Sequence, residues 1–314
     1  MGDANGVGPE IALRAFAAGR LPPEAVVIGD LAVLDLCNRR VGAGVRLEAV
    51  AGPAPAAAGW LAVLDRGILR AEDVRVGRVS LEAGRAALDY VDAATRLALA
   101  GRLRAVVTLP INKEATRLSS PGFSGHTGYI ARLCGASRYT MMLASPRLLV
   151  THVTTHVSLR EAIETLAPER IHDVIVLTAE AVRKLKRPPP IAVMALNPHA
   201  GEGGAFGDEE TRVIAPAVER ARREGLDVAG PLPPDTVFAK ALRGRYGAVV
   251  CLYHDQGHIP MKAIGFEDTV NVTLGLLIVR TSVDHGTAFD IAWQGVANLD
   301  SLVHACRLAG ELAA

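Results

Sequence analysis

The chain has 314 residues, of which 50% are hydrophobic and 21% are charged, so it can bury a large core and is not intrinsically disordered. Its 34 Lys and Arg residues balance 33 Asp and Glu, which argues against the basic surface that nucleic acids and anionic membranes attract. No run approaches the roughly 18 apolar residues of a membrane span. The four cysteines lie far apart, without disulfide-scaffold spacing. We therefore predict a globular cytoplasmic protein with neither a nucleic-acid nor a membrane partner.

Short β-branched runs alternate with helical stretches along the chain. The runs predict seven strands, at residues 25–30, 45–50, 105–109, 148–157, 190–196, 248–253 and 271–279. Amphipathic stretches between them predict helices, for example at residues 81–99, 169–186 and 209–224. Such alternation is typical of an α/β fold with largely parallel sheets. The composition shows no linker that would separate domains.

Three histidines follow three different predicted strands. His156, His199 and His254 each fall at or just beyond the carboxyl end of such a strand, and open α/β sheets bind ligands along that edge. Three imidazoles there could bind a divalent metal and leave positions open for substrate oxygens. The alternative is that each is an ordinary polar residue at a strand end. His152 shares a strand face with His156, so spacing does not exclude it as a ligand.

Two glycine-rich loops do not fit a dinucleotide-binding fingerprint. Gly6-Val7-Gly8 continues to Ile11 where a third glycine is required, and Glu202 occupies the position of the first glycine in the loop 201–207. A Rossmann-type site is therefore not predicted.

Several basic or polar residues are candidate anion binders. Lys262 and Arg280 flank Asn271, and His126-Thr127 lies in a Gly-rich loop. Arginine can grip a carboxylate or phosphate with two hydrogen bonds, whereas lysine supplies a mobile charge. The alternative for each is a solvated surface position.

Long motifs resemble the 4-hydroxythreonine-4-phosphate dehydrogenase family, in order from residue 2 to about residue 300. They comprise segments 2–10, 110–115, 125–127, 154–156, 196–202, 253–257 and 280–288. Segments 257–262 and 288–292 resemble the branch that acts on 4-phospho-D-threonate or 4-phospho-D-erythronate.

The resemblance implies a two-domain fold of the isocitrate/isopropylmalate dehydrogenase type. The expected domains are 1–120 plus 272–314, and 121–271. It also implies a homodimer with its active site in the cleft between domains, near the partner subunit. The expected cofactors are NAD and one divalent ion: Zn, Mg, Mn or Co.

The resemblance also assigns site residues. It places the metal ligands at His156, His199 and His254. It places the substrate-binding residues at His126, Thr127, Lys262, Asn271 and Arg280. It places the NAD-binding loop at residues 285–292, with His285, Gly286, Thr287 and Asp290. Asp255 and Lys262 are the catalytic candidates, and Lys113 and Asp235 are further candidates on weaker grounds.

The implied reaction is metal-dependent oxidation by NAD of the 3-hydroxyl of 4-phospho-D-threonate or 4-phospho-D-erythronate, followed by decarboxylation to dihydroxyacetone phosphate. The alternative is the 4-(phosphooxy)-L-threonine dehydrogenase of pyridoxal phosphate biosynthesis. More remote alternatives are a metal-dependent lyase or hydrolase without NAD, and a non-catalytic protein that binds a phosphorylated metabolite.

The sequence departs from the family pattern in four places. Gly128, Leu277 and Trp293 replace residues that are usually Glu, Pro and Gly, and the last two put cofactor choice in doubt. Relatives also carry an apolar strand before the motif that begins at Gly2. We therefore expect an apolar groove beside residues 25–30 or 105–109, and a natural chain that is longer than this one.

Overall fold

A computed structural model describes residues 1–54, 56–265 and 269–314. The strands are β1 Val26–Gly29, β2 Arg46–Ala49, β3 Trp60–Asp65, β4 Ala105–Thr108, β5 Thr140–Ala144, β6 Leu149–His152, β7 Ile191–Met194, β8 Val228–Leu232, β9 Ala248–Cys251, β10 Val270–Leu274 and β11 Val279–Val283. The α-helices are α1 Gly8–Ala17, α2 Leu31–Val41, α3 Leu81–Leu99, α4 Lys113–Ser119, α5 His126–Leu133, α6 Leu159–Glu164, α7 Pro168–Lys184, α8 Ala215–Arg223, α9 Pro234–Leu242, α10 His254–Gly265 and α11 Asp300–Leu312. Within these described ranges, no helix is both long enough and apolar enough to cross a membrane.

The chain divides into two units. The first contains residues 1–136 and 277–313, and the second contains residues 137–276 together with Ala314. The sequence places the boundaries at 120/121 and 271/272 instead. Residues 121–136 belong to the first unit because they carry α5, which packs against α3. Residues 272–276 belong to the second because β10 pairs with β5 along its whole length.

The first unit contains two groups of parallel strands. β3 lies between β1 and β2, and β4 pairs with β11. Asp30, which directly follows β1, is fully buried, and its carboxylate accepts hydrogen bonds from the backbone N–H groups of Ile68 (2.9 Å) and Leu69 (2.8 Å). The hydroxyl of Tyr90 on α3 donates a third at 2.5 Å. These bonds fix α3 and the segment after β3 against the end of β1.

A groove of about 370 Å³ runs beside β1 and β4 in the first unit, at the place predicted from the sequence. Residues 26–28 and 105–109 form two of its walls, and most of its surface is apolar. Met1 is among the residues that line it, and the amino group of Met1 donates a 2.8 Å hydrogen bond to the carbonyl of Ile28. Burial lowers the pKa of this amine to about 5.

The second unit is built on a mixed sheet with the strand order β10-β5-β6-β9-β7-β8. β10, β5 and β6 run antiparallel to one another in turn, whereas β6, β9, β7 and β8 are parallel. Leu143, Val150, Met194, Val249 and Cys251 form the centre of its core. Because β6, β9 and β7 are parallel neighbours, the loops that follow them leave from one edge of the sheet.

Candidate functional site

The three candidate metal ligands lie in the segments that follow β6, β7 and β9 in the second unit. β6 ends at His152, so His156 lies in the loop before α6 and not on a strand that runs to residue 157, as the sequence suggests. His199 lies in the segment Pro198–Gly204, after β7. His254 is the first residue of α10, three residues beyond β9.

His156 and His254 are neighbours. Their ring centroids are 5.7 Å apart, a separation that suits two imidazoles bound to one ion through nitrogen bonds of about 2.0–2.1 Å. Oδ1 of Asp255 lies 2.6 Å from Nδ1 of His254. A carboxylate on one ring nitrogen orients the ring and leaves the other nitrogen for a metal, so this pair fits a divalent ion.

His199 is not grouped with the other two histidines. It begins a left-handed run of backbone, with φ of 52° at His199 and 41° at Glu202, and its ring lies 6.3 Å from that of Phe206. Among residues 1–54, 56–265 and 269–314, no three His, Cys, Asp or Glu side chains are placed to hold an ion together. The three-histidine metal site therefore stays a prediction, in which two of the candidate ligands, His156 and His254, are adjacent.

A buried pair of histidines lies behind His254. Nε2 of His152 is 3.1 Å from Nδ1 of His258, and the ring of His258 stacks on that of His254 with centroids 3.6 Å apart. Burial, reinforced by the neighbouring histidines, lowers the pKa of His152 to about 3 and that of His258 to about 4. Sequence reasoning missed His258, although its position four residues after His254 on a helix places both on one face.

Arg280 and His126 form a buried basic group in the first unit. Arg280, on β11, is only 2% exposed, and its guanidinium donates a 2.6 Å hydrogen bond to Oγ1 of Thr108. Burial lowers its pKa to about 9. His126 begins α5, and burial together with the charges of Arg280, the chain's amino group and Lys113 holds its pKa well below the usual range. A carboxylate or phosphate would complement this group.

The remaining substrate candidates are placed as follows. Thr127 is the second residue of α5 in the first unit. In the second unit, Lys262 is exposed on α10, and its charge contributes to the low pKa of His258. Asn271 lies on β10, where its Oδ1 is shielded from solvent without a hydrogen-bond partner among the described residues. Asp235 is exposed in the first turn of α9.

The loop predicted to bind NAD lies in the first unit. The carbonyl of Thr287 accepts a 3.0 Å hydrogen bond from the backbone N–H of Val7. A Cβ atom at Gly6 would come within 2.9 Å of Thr287, so only glycine permits this approach. Nδ1 of His285 lies 3.0 Å from the carbonyl of Gly286, whereas its Nε2 is shielded and has no partner within the described part of the chain. Asp290 is exposed. An unpartnered ring nitrogen beside exposed polar groups fits a nucleotide.

Comparison with known proteins identifies the class. The profile of the family described as "Pyridoxal phosphate biosynthetic protein PdxA" matches residues 22–309. The chain is 45% identical to the D-threonate 4-phosphate dehydrogenase of Salmonella typhimurium, covering all of this chain and 97% of the relative. It is also 45% identical to the 4-hydroxythreonine-4-phosphate dehydrogenase of Geobacter metallireducens, covering all of this chain and 94% of the relative. The protein is an oxidoreductase that acts on a CH–OH group.

The solved structures agree. The crystal structure of 4-hydroxythreonine-4-phosphate dehydrogenase from Klebsiella pneumoniae has a TM-score of 0.90 at 42% identity, covering all of this chain and 98% of that one. A terephthalate 1,2-cis-dihydrodiol dehydrogenase from Burkholderia xenovorans LB400 is more distant, with a TM-score of 0.71 at 32% identity, covering 98% of this chain and 95% of that one. The chain belongs to the pyridoxal phosphate biosynthetic protein PdxA family.

Proposed function

We propose that the protein is an NAD-dependent dehydrogenase that oxidises and decarboxylates 4-phospho-D-threonate or 4-phospho-D-erythronate. The observation that carries the proposal is the full-length match to relatives named D-threonate 4-phosphate dehydrogenase, at 42–45% identity. A family member named for 4-hydroxythreonine 4-phosphate matches at 45%, so 4-(phosphooxy)-L-threonine is the second candidate substrate.

The reaction removes two electrons and then CO₂. The C3 hydroxyl gives its proton to a base, and C3 gives a hydride to NAD⁺, which leaves a ketone β to the carboxylate. The C1–C2 bond then breaks, and its electron pair forms an enolate at C2 and C3 while CO₂ leaves. Protonation at C2 gives dihydroxyacetone phosphate, with NADH as the reduced product.

In the second unit, we assign metal binding to His156, His199 and His254, with Asp255 orienting His254. A divalent ion held there would supply Lewis acidity toward the substrate hydroxyl and the later ketone. Asp255 and Lys262 are the candidate proton acceptors, and Asn271 is a hydrogen-bonding partner for a substrate oxygen.

In the first unit, we assign anion binding to Arg280 and His126, with Thr127 as a further hydrogen-bond donor. His126 is neutral at pH 7 because of its low pKa, so it contributes a hydrogen bond and Arg280 contributes the charge. His285, Gly286, Thr287 and Asp290 form the proposed nucleotide loop. We further infer a homodimer, which light scattering in solution would test.

The test is NADH formation, followed at 340 nm, with 4-phospho-D-threonate, 4-phospho-D-erythronate and 4-(phosphooxy)-L-threonine, each with and without a chelator. We expect chelator-sensitive NADH formation with at least one of the first two acids, and dihydroxyacetone phosphate as product. Turnover with 4-(phosphooxy)-L-threonine alone would establish the second candidate. Consumption of substrate without NADH would indicate a lyase or hydrolase, and binding without turnover would indicate a non-catalytic protein.

A further inference from the structure

A buried carboxylate lies next to the loop that carries His199 in the second unit, residues 196–204, here called the His199 loop. Glu210 begins the turn Glu210–Ile214, which leads into α8, and it is only 4% exposed. With so little surface in contact with solvent, its side chain is not available to a substrate. The metal and anion sites assigned above do not use it.

The carboxylate of Glu210 binds the start of the His199 loop through three hydrogen bonds. Its Oε1 accepts bonds from the backbone N–H groups of Leu196 and Asn197, both at 2.8 Å. Its Oε2 accepts a bond from Nδ2 of Asn197 at 2.9 Å. Asn197 directly precedes Pro198, so one buried side chain holds the backbone from which the segment with His199 departs.

The same carboxylate also lies close to the chain beyond His199. A Cβ atom at Gly201 would come within 2.7 Å of Oε2 of Glu210, so a side chain at this position would displace the carboxylate. Glu210 is therefore adjacent to the His199 loop on both sides of the candidate ligand.

The backbone between these two points has an unfavourable conformation. His199, Ala200 and Glu202 have φ values of 52°, 57° and 41°, in the left-handed region. Residues that carry a Cβ atom keep this conformation only where surrounding contacts impose it. The hydrogen bonds of Glu210 supply such contacts at the start of the run. The backbone of His199 is thus held by bonds that its own side chain does not make.

The three bonds require a carboxylate at position 210. All of them are donated by N–H groups, so both oxygens of Glu210 act as acceptors. Burial would raise the pKa of Glu210, but the hydrogen bonds from Asn197 and from the backbone outweigh burial and lower it. The side chain is therefore ionised at neutral pH. Glutamine has the same shape, but its amide NH₂ would face an N–H donor.

We propose that Glu210 is the positioning residue that holds the backbone of His199 where its imidazole can bind the divalent ion. The inference rests on the proposed function, because it requires His199 to be a metal ligand. The side chain of His199 is exposed, and two torsion angles are enough to turn its ring once the backbone is held. Residues that orient a ligand in this way raise the metal affinity without touching the ion.

The test measures binding of Co²⁺ alone, by visible absorption, after a chelator has removed any bound metal and without substrate or NAD. Glu210→Gln should weaken Co²⁺ binding by about tenfold or more. It should also shift the Co²⁺ spectrum toward that of His199→Ala, because both variants lose the same nitrogen ligand. Glu219→Gln is the matched control, since Glu219 is an exposed residue of α8 that pairs with Arg222, and it should leave the affinity unchanged.

A double-mutant cycle shows whether Glu210 acts through His199. In the His199→Ala background, where His156 and His254 remain, Glu210→Gln should change the Co²⁺ affinity by less than about twofold. Equal weakening in both backgrounds would indicate a general effect on the fold and would overturn the proposal. An unchanged Co²⁺ affinity in Glu210→Gln, or a wild-type protein that binds no Co²⁺, would overturn it too.

A milder variant serves if Glu210→Gln does not fold. Asn197→Ala removes one of the three hydrogen bonds of Glu210 and leaves the two backbone bonds in place. It should weaken Co²⁺ binding by about threefold, and only in the presence of His199. No change in affinity, or the same change without His199, would contradict the positioning role.

The outcomes also separate this inference from the proposed function. Co²⁺ binding that is weakened by Glu210→Gln only in the presence of His199, in a protein that forms no NADH, would support the positioning role and reject the dehydrogenase. NADH formation together with a Co²⁺ affinity that does not depend on Glu210 would do the reverse.

Discussion

The imidazole rings of His254 and His258 stack with centroids 3.6 Å apart and planes 10° from parallel. Nδ1 of His258 also lies 3.1 Å from the buried Nε2 of His152, the last residue of β6. His258 therefore connects His254, at the start of α10, to the strand β6. Burial keeps the rings of His152 and His258 neutral, because the charged form of a histidine is unfavourable where water is excluded. The proposed ligand His254 thus rests on a rigid support.

Replacing His258 with Ala should therefore destabilise the protein. The change leaves Nε2 of His152 buried without its partner and opens a cavity, which together cost about 2–4 kcal/mol in the free energy of unfolding. Unfolding in urea measures this change in the free energy of unfolding. Ile259→Ala on the same helix is the control, since Ile259 is 65% exposed and should change stability by less than about 1 kcal/mol.

Asp30→Ala should lower the free energy of unfolding more than His258→Ala does. The substitution removes the acceptor of two backbone N–H groups and of the Tyr90 hydroxyl, all in the interior of the first unit. We expect a loss of about 3–5 kcal/mol in the free energy of unfolding. Asp35→Ala removes an exposed carboxylate paired with Arg39 and should cost less than about 1 kcal/mol. If both variants lost the same free energy of unfolding, the buried hydrogen bonds of Asp30 would stabilise the protein no more than the exposed ion pair of Asp35.

The carboxyl group of Asp3 should make stability depend on pH. Burial raises its pKa from 3.8 to about 6, so the folded protein keeps a proton that the unfolded chain has lost between these values. Its contribution is therefore present below pH 3.8 and is lost as pH rises through 6, a change of about 3 kcal/mol. The difference in unfolding free energy between wild type and Asp3→Asn, measured from pH 4 to pH 7, should shift in favour of Asp3→Asn. A pH-independent difference would contradict this expectation.

Gly84 and Gly310 should respond oppositely to Ala. A Cβ atom at Gly84 on α3 would overlap the backbone of Ala115 on α4, whereas one at Gly310 on α11 meets nothing within 4 Å. Gly84→Ala should lower the melting temperature because the two helices must separate. Gly310→Ala should raise it slightly, by the roughly 0.5–1 kcal/mol that Ala gains over Gly in a helix. Thermal unfolding of both variants decides the matter.

Arg280→Lys should weaken substrate binding. Lysine keeps the charge but loses the planar fork, so we expect KM for the phosphorylated acid to rise about tenfold or more with a smaller change in kcat. Arg307→Lys is the control, since Arg307 is an exposed residue of α11. An unchanged KM with every phosphorylated substrate would remove Arg280 from the anion site.

The sequence predicts the repeating order of strands and helices well, and helix α3 to the residue. It predicts residues 271–279 as one strand, but Gly275 separates β10 from β11. Gly275 has a φ of 85°, and its backbone packs so closely on Arg138 that no Cβ would fit. Because that contact lies far away in sequence, local pattern cannot reveal the turn. The strands β3, β5 and β8 were missed, since short apolar runs have no distinctive period.

Only part of the candidate site could be predicted from the sequence, because some of its contacts join residues that are far apart in the chain. Residues after parallel strands could be placed together, because the ends of such strands share an edge, and His156 and His254 do lie side by side. The pairing of His152 with His258 spans 106 positions and depends on packing that no spacing rule encodes.

The strands β6, β7 and β9 are buried throughout, whereas the candidate ligands lie only in the segments that follow them. Because mutations in those segments do not alter the residues that pair the three strands, selection for a new substrate need not compete with selection for folding. Relatives named for D-threonate 4-phosphate and for 4-hydroxythreonine 4-phosphate stand at the same 45% identity to this chain. In evolutionary terms, the strand order of the second unit lets substrate specificity change more readily than the fold.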